Sequence, residues 1–255
     1  MRNIIINSPL EQFEINTYIS LNSSLIDLSW LSITNFSIYS LIVFSLIIGL
    51  HTLSINNNGI IPSKWSIGIE SLYSTIQNMV YSQIGISGQY YFPLIYVLFV
   101  FILVSNLFSM IPYNFALMSH LVFTVSLSAI IWLGVTILGF SNFKLEYFGL
   151  FVPAGTSLPL VPILVIIELL SNTARSISLG LRLGSNILAG HLLLVILGGL
   201  IFDFMSSGII FFIVGFIPLA LVLGIMCLEC AIALIQAYVF SILACSYIKE
   251  AIYLH

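Results

Sequence analysis

The chain has 255 residues, 60% of them hydrophobic and 6% charged, with a formal net charge of -3 and a mean hydropathy of +1.17. A soluble domain carries about 25% charged residues, so this composition excludes one and places most of the mass in a lipid bilayer. No basic run points to nucleic acid, and no G-x-x-x-x-G-K-[ST] is present to cradle a nucleotide's phosphates.

Met1-Arg-Asn-Ile-Ile-Ile-Asn is too short for a secretory signal, since Pro9 and Glu11 stand where its apolar region would continue. Insertion is therefore expected to use the membrane helices themselves. Ser8 to Trp30 holds Glu11, Glu14 and Asp27 and is expected outside the bilayer or along its surface. A first span is predicted over 36–53, ended by Asn56-Asn57-Asn58-Gly59. From Ser63 to Ile84, Trp65, Ile69, Leu72, Ile76, Met79 and Val80 recur near helical spacing, with Lys64, Glu70 and Gln77 elsewhere. That pattern predicts an amphipathic helix lying in the interface.

Residues 91–140 read as a transmembrane hairpin, with one span ending at Pro112-Tyr113-Asn114 and the next covering Leu121 to Phe140. Lys144 and Glu146 mark an interface, and Val152 to Pro159 breaks any helix. Two long apolar segments remain, about 160–204 and 209–253, joined near Ser206-Ser207-Gly208, with Pro218 early in the second. Each would exceed ~60 Å as a helix, against a hydrocarbon core of ~30 Å, so two steeply tilted, bent helices are predicted. The fold class is all-α: one polytopic membrane domain over 1–255 with five crossings, which would put the termini on opposite sides.

Polar residues in these last helices form a pattern. On an ideal helix with Arg182 at zero, Arg175 lies near +20°, Glu168 and Asn186 near +40°, Ser171 and Ala189 near -20°, and Ser178 near -40°. His191 falls near 180°, on the opposite side with Gly180 and Gly184. The second helix repeats the design, with Glu229, Gln236, Leu243 and Glu250 spaced by seven along one stripe that also holds Tyr247. In an antiparallel hairpin, facing residues have a constant sum of positions. Arg182 with Gln236 and Glu168 with Glu250 both give 418, and His191 with Glu229 gives 420. The implied turn coincides with the Ser-Ser-Gly signal.

A charge at bilayer depth costs at least ~2.5–3.5 kcal/mol on insertion scales, which makes Arg182 a candidate functional residue. Arginine keeps its proton, with a pKa above ~12. It can attract or repel a moving proton but cannot carry one. Carboxylates and imidazoles do exchange protons once burial shifts them. A Glu168/Glu250 cluster ~21 Å to one side of Arg182 along the helix axis, and a His191/Glu229 cluster ~13 Å to the other, describe a path with a barrier at its middle. A plainer reading makes Glu168 and Arg175 a neutralising i, i+7 pair and His191 a core histidine. Arg182 has no acid at i±3 or i±4 and needs a partner from another helix or another chain. Cys227-Leu-Glu-Cys230 is formally C-x-x-C but lies on a helix within lipid, so packing rather than redox or metal chemistry is expected.

Ser178-Leu-Gly-Leu-Arg182-Leu-Gly-Ser-Asn186-Ile-Leu-Ala-Gly-His191 resembles the proton-channel stator subunit, subunit a, of F-type ATP synthases, and most closely its fungal mitochondrial members. Asn106-Leu-Phe-Ser-Met-Ile-Pro112, Phe216 to Ala220, Ile235 to Phe240 and Ser246 to His255 extend the likeness over essentially the whole chain. The resemblance implies a long tilted hairpin against a rotating c-ring of small subunits, each with one lipid-exposed carboxyl. It implies Arg182 as the essential electrostatic separator and His191 and Glu229 in the half-channel on the intermembrane-space side. By the same resemblance Glu168 and Glu250 are expected in the matrix-side half-channel, with Asn186, Gln236 and Arg175 as supporting polar positions. Peripheral-stalk and other small membrane subunits, a dimeric complex, the mitochondrial inner membrane, and neither cofactor nor metal are likewise implied. Two readings from other classes remain beside it. One is an independent secondary transporter, against which no internal repeat is found. The other is a structural anchor whose buried charges only fix helix register.

Overall fold

The computed structural model describes residues 13–19, 32–55, 62–111, 114–144, 147, 149 and 160–253. The expectations for Glu11 and Asp27, for the Asn56–Gly59 turn, for Pro112 and Tyr113, for Glu146 and the break at 152–159, and for Leu254 and His255 lie outside those residues.

Among the described residues seven α-helices follow in chain order: α1 (Asn35–Ser54), α2 (Lys64–Ile84), α3 (Phe92–Ser109), α4 (Leu121–Phe143), α5 (Val161–Ser206), α6 (Ile209–Val214) and α7 (Phe216–Ile252). Five are long and apolar enough to cross a membrane, α1, α3, α4, α5 and α7. The chain is an all-α polytopic membrane protein. The exception, which no period-2 signal announced, is a two-stranded antiparallel ribbon of β1 (Thr17–Ile19) and β2 (Ile33–Thr34), with Thr17 opposite Thr34.

At 46 residues α5 is about 69 Å long, more than twice the hydrocarbon thickness, and it runs unbroken, so it crosses at a slant. The following segment is not one helix. It breaks at Gly215, between α6 and α7. Pro218 accounts for it: inside a continuous helix its ring would clash with the carbonyl four residues back, at Val214, whereas in the first turn of a new helix proline is tolerated. The α5–α6 turn uses Gly208 at φ 146°, a backbone region closed to side chains, while Ser206 and Ser207 hydroxyls donate to the Asp203 carbonyl at 3.1 and 2.7 Å.

The chain divides into two compact units, one made of residues 1–48, 101–120 and 185–235, the other of 49–100, 121–184 and 236–255. In the first, Phe36, Tyr39, Phe108, Phe115 and His120 form an aromatic cluster, with the Phe115 and His120 rings 5.0 Å apart. Burial lowers the pKa of the His120 ring, which stands just before α4. The C-terminal half of α3 buries Ile102 and Leu103 together with three polar residues, Ser105, Asn106 and Ser109.

In the second unit, α2 starts at an N-cap in which Ser63 Oγ accepts from the Ser66 N–H at 3.2 Å. Ile76, Met79, Val80 and Ile84 are buried, whereas Trp65, Ile67, Leu72 and Tyr73 are exposed. Half of this apolar face is therefore left for lipid, as suits an interfacial helix. Farther on, α5 lies tight against α4: Ser176 Oγ donates to the Ser128 carbonyl at 3.1 Å, and a Cβ on Gly180 would stand 2.7 Å from the Thr124 carbonyl oxygen and 2.7 Å from the Val125 Cα. Backbone cannot give way as a side chain can. Gly180→Ala is accordingly expected to cost about 1–3 kcal/mol through overpacking, seen as less assembled complex and a lower thermal inactivation temperature.

Candidate functional site

Helical periodicity sorts the residues of α5 onto two faces. Ser176, Leu179, Gly180, Leu183, Gly184, Ile187 and His191 are buried. Glu168, Ser171, Arg175, Ser178, Arg182, Ser185, Asn186 and Ala189 are exposed. The stripe drawn from 100° per residue is thus an outward face, with His191 on the inward one. On α7, Glu229, Ala233, Gln236, Ala237, Phe240, Ser241, Ala244, Cys245, Tyr247 and Ile248 are buried, and Glu250 is exposed. Cys227 and Cys230 are free and exposed, so they face away from the chain's own core, whereas Cys245 packs inside it.

Within the first unit, His191 and Glu229 line one cavity of about 310 Å³ together with Asn186, Gly190, Met110 and apolar residues of α5 and α7. The imidazole is 7% exposed and the carboxylate residue 8%. His191 Nε2 lies 3.3 Å from Ser109 Oγ of α3, and the Phe13 ring meets the imidazole edge-on at 6.4 Å between centroids. Neither oxygen of Glu229 has a hydrogen-bond partner among the described residues. The carboxylate lies against Gly190, where a Cβ would come within 2.7 Å of its carbon. Glycine there supplies the room the acid occupies. A buried carboxyl with no fixed partner, beside an imidazole in a cavity that could hold water, is equipped to take up and release a proton.

Within the second unit, Arg175 Nη1 donates to Glu250 Oε1 at 3.5 Å. The pairing is across helices, not with Glu168 seven residues away. Both side chains are nearly half exposed, so the ion pair adds little to stability. Glu250 also feels the charge of Glu168, as the 418 register expects. The buried Tyr247 hydroxyl has no hydrogen-bond partner among the described residues and lies within electrostatic reach of Arg175, Glu250 and Arg182. Gln236 is buried nearby in sequence order on α7. Arg182 makes no ion pair and no hydrogen bond with any described residue. It is a permanent cation on an exposed helix face.

Arg182, Glu168, Glu250, His191, Glu229, Asn186, Gln236 and Arg175 stand out from the sequence by spacing or by resemblance, whereas Ser109 and Gly190 do not. Ser105, Asn106 and Ser109, polar and close together in an otherwise apolar α3, were the available signal for the former. Gly190 gave none beyond its size.

These features define a class, a multi-span helical membrane protein with titratable groups sunk among its helices. The family model for the ATP synthase A chain matches residues 37–249. Over 254 residues the chain is 59% identical to ATP synthase subunit a of Saccharomyces cerevisiae, covering 99% of this chain and 98% of the relative. To ATP synthase subunit a of Wickerhamomyces canadensis it is 57% identical over 256 residues, covering all of both. The corresponding Kluyveromyces lactis subunit is 58% identical over 258 residues, again covering both chains fully. The chain belongs to the ATP synthase subunit a family. Membership makes it a subunit of the proton-translocating membrane sector of that complex.

Proposed function

We propose that this chain is the stator of a rotary proton path in the mitochondrial inner membrane. It delivers protons to, and receives them from, carboxylates carried by a turning c-ring through two offset half-channels, and so couples proton flow to ATP synthesis. The observation that carries this reading is Arg182, an exposed guanidinium with no ion-pair partner among the described residues, on a stripe of small and polar side chains. A charge so placed in a membrane segment calls for a counter-charge from another chain. A ring carboxylate passing that face is held ionised opposite the guanidinium and takes a proton on either side of it.

His191 and Glu229 form the half-channel toward the intermembrane space, with Asn186, which lines the same cavity, as a supporting polar position. Glu168 and Glu250, with Arg175 paired to the latter, form the one toward the matrix, and Gln236 supports the arginine. Each proton crossing releases ~2.3 kcal/mol per 100 mV of membrane potential, which this chain alone could only dissipate. Peripheral-stalk and other small membrane subunits hold it against rotation, in a complex that is dimeric. Relatives drawn from yeasts support the mitochondrial setting.

A cysteine at Ser178, which is exposed on the Arg182 stripe, tests the ring contact. In the assembled complex it is expected to cross-link to the ring subunit and to stop ATP-driven rotation once linked. Cross-linking to lipid-facing reagents alone, with no ring adduct, would sink the proposal.

A further inference from the structure

We propose that Ser109 fixes His191 as its Nε2–H tautomer and leaves Nδ1 as the nitrogen that takes up and releases the proton. A serine hydroxyl has one hydrogen and two lone pairs. Ser109 Oγ stands 2.7 Å from the backbone carbonyl of Asn106, and a carbonyl can only accept, so the hydroxyl hydrogen points there. Toward the ring, 3.3 Å away, the hydroxyl has only a lone pair to offer. Nε2 must then carry the hydrogen. Ser109 is 1% exposed and does not line the cavity, so its hydroxyl is held against the ring by packing.

The arrangement has a functional consequence that rests on the half-channel reading above. When Nδ1 gains a proton, the Nε2–H bond to Ser109 persists, and the ring keeps its place in both charge states. Glu229, from α7, is the other titratable group lining the cavity among the described residues, with the Asn186 amide and the Phe13 ring as neutral neighbours. Ser109 is a positioning residue, acting through the imidazole.

The test uses the intact synthase in lipid with ¹⁵N-labelled histidine, the His191 signals being those lost in His191→Asn. Solid-state NMR is expected to show neutral His191 with hydrogen on Nε2. In Ser109→Ala the two tautomers should mix, and proton flux into sealed vesicles should fall about three- to tenfold, the range set by losing one hydrogen bond. Ser109→Thr, which keeps the hydroxyl, should restore both readouts. Hydrogen on Nδ1 in the unaltered complex would overturn the proposal without any variant, as would unchanged tautomer and flux in Ser109→Ala. Undiminished flux in His191→Asn would instead overturn the half-channel reading, so the two failures are distinguishable.

Discussion

Arg182→Ala is expected to abolish proton-driven ATP synthesis in sealed vesicles while the complex still assembles. The guanidinium is exposed and makes no ion pair among the described residues, so its removal is expected to leave the packing in place. What it removes is the field acting on a passing carboxylate. At about 4 Å and an effective dielectric of about 20, that attraction is about 4 kcal/mol, roughly a thousandfold in the balance between ionised and protonated carboxyl. Without it, a carboxyl facing the stripe has no reason to release its proton on one side before turning to the other. Proton uptake should lose its dependence on ATP hydrolysis. Arg182→Lys retains a charge but loses the planar fork and the fixed protonation, and should recover little. Synthesis at the normal rate in Arg182→Ala vesicles would remove the residue from the mechanism.

Glu229→Gln comes second in expected size. The carboxyl is buried, has no hydrogen-bond partner among the described residues and lines the cavity that His191 also lines. Glutamine has nearly its shape and fits against Gly190 in the same way, but it cannot hold or release a proton. If the carboxyl is the carrier, proton flux should drop by at least about a hundredfold, the usual scale for losing a positioned acid–base group. Assembly and the complex's nucleotide chemistry should be retained. The register-only alternative makes the opposite forecast, because a neutral amide fills the space as well as the acid. Passive flux through the membrane sector separates them, with unchanged flux favouring the anchor.

Much of this geometry was legible in the sequence because a helix converts spacing into direction. Seven-residue steps among Glu168, Arg175 and Arg182 gave the outward stripe of α5, and the half-turn offset of His191 gave its inward placement. The hairpin sum brought Glu250 within the field of Glu168 and set Glu229 beside Gly190, one position from His191. Spacing along one helix says nothing of a third. That is why Ser109, 82 residues from His191, was not foreseen. The Arg175–Glu250 pair was missed for a different reason: the hairpin sum sets Glu168 opposite Glu250, and the long arginine side chain reaches it from one seven-residue step along α5. The break at Gly215 was missed for another reason. A proline early in an apolar run is compatible with one long helix or with a fresh start, and only the backbone decides between them.

The contact of Glu229 with Gly190 ties two positions 39 residues apart into one choice. A side chain at the second would meet the carboxyl end of the first, which would have to swing into the cavity beside it. Drift at either place is therefore conditional: a larger neighbour re-aims the acid, and lineages that enlarge the one should more often be found to have altered the other as well.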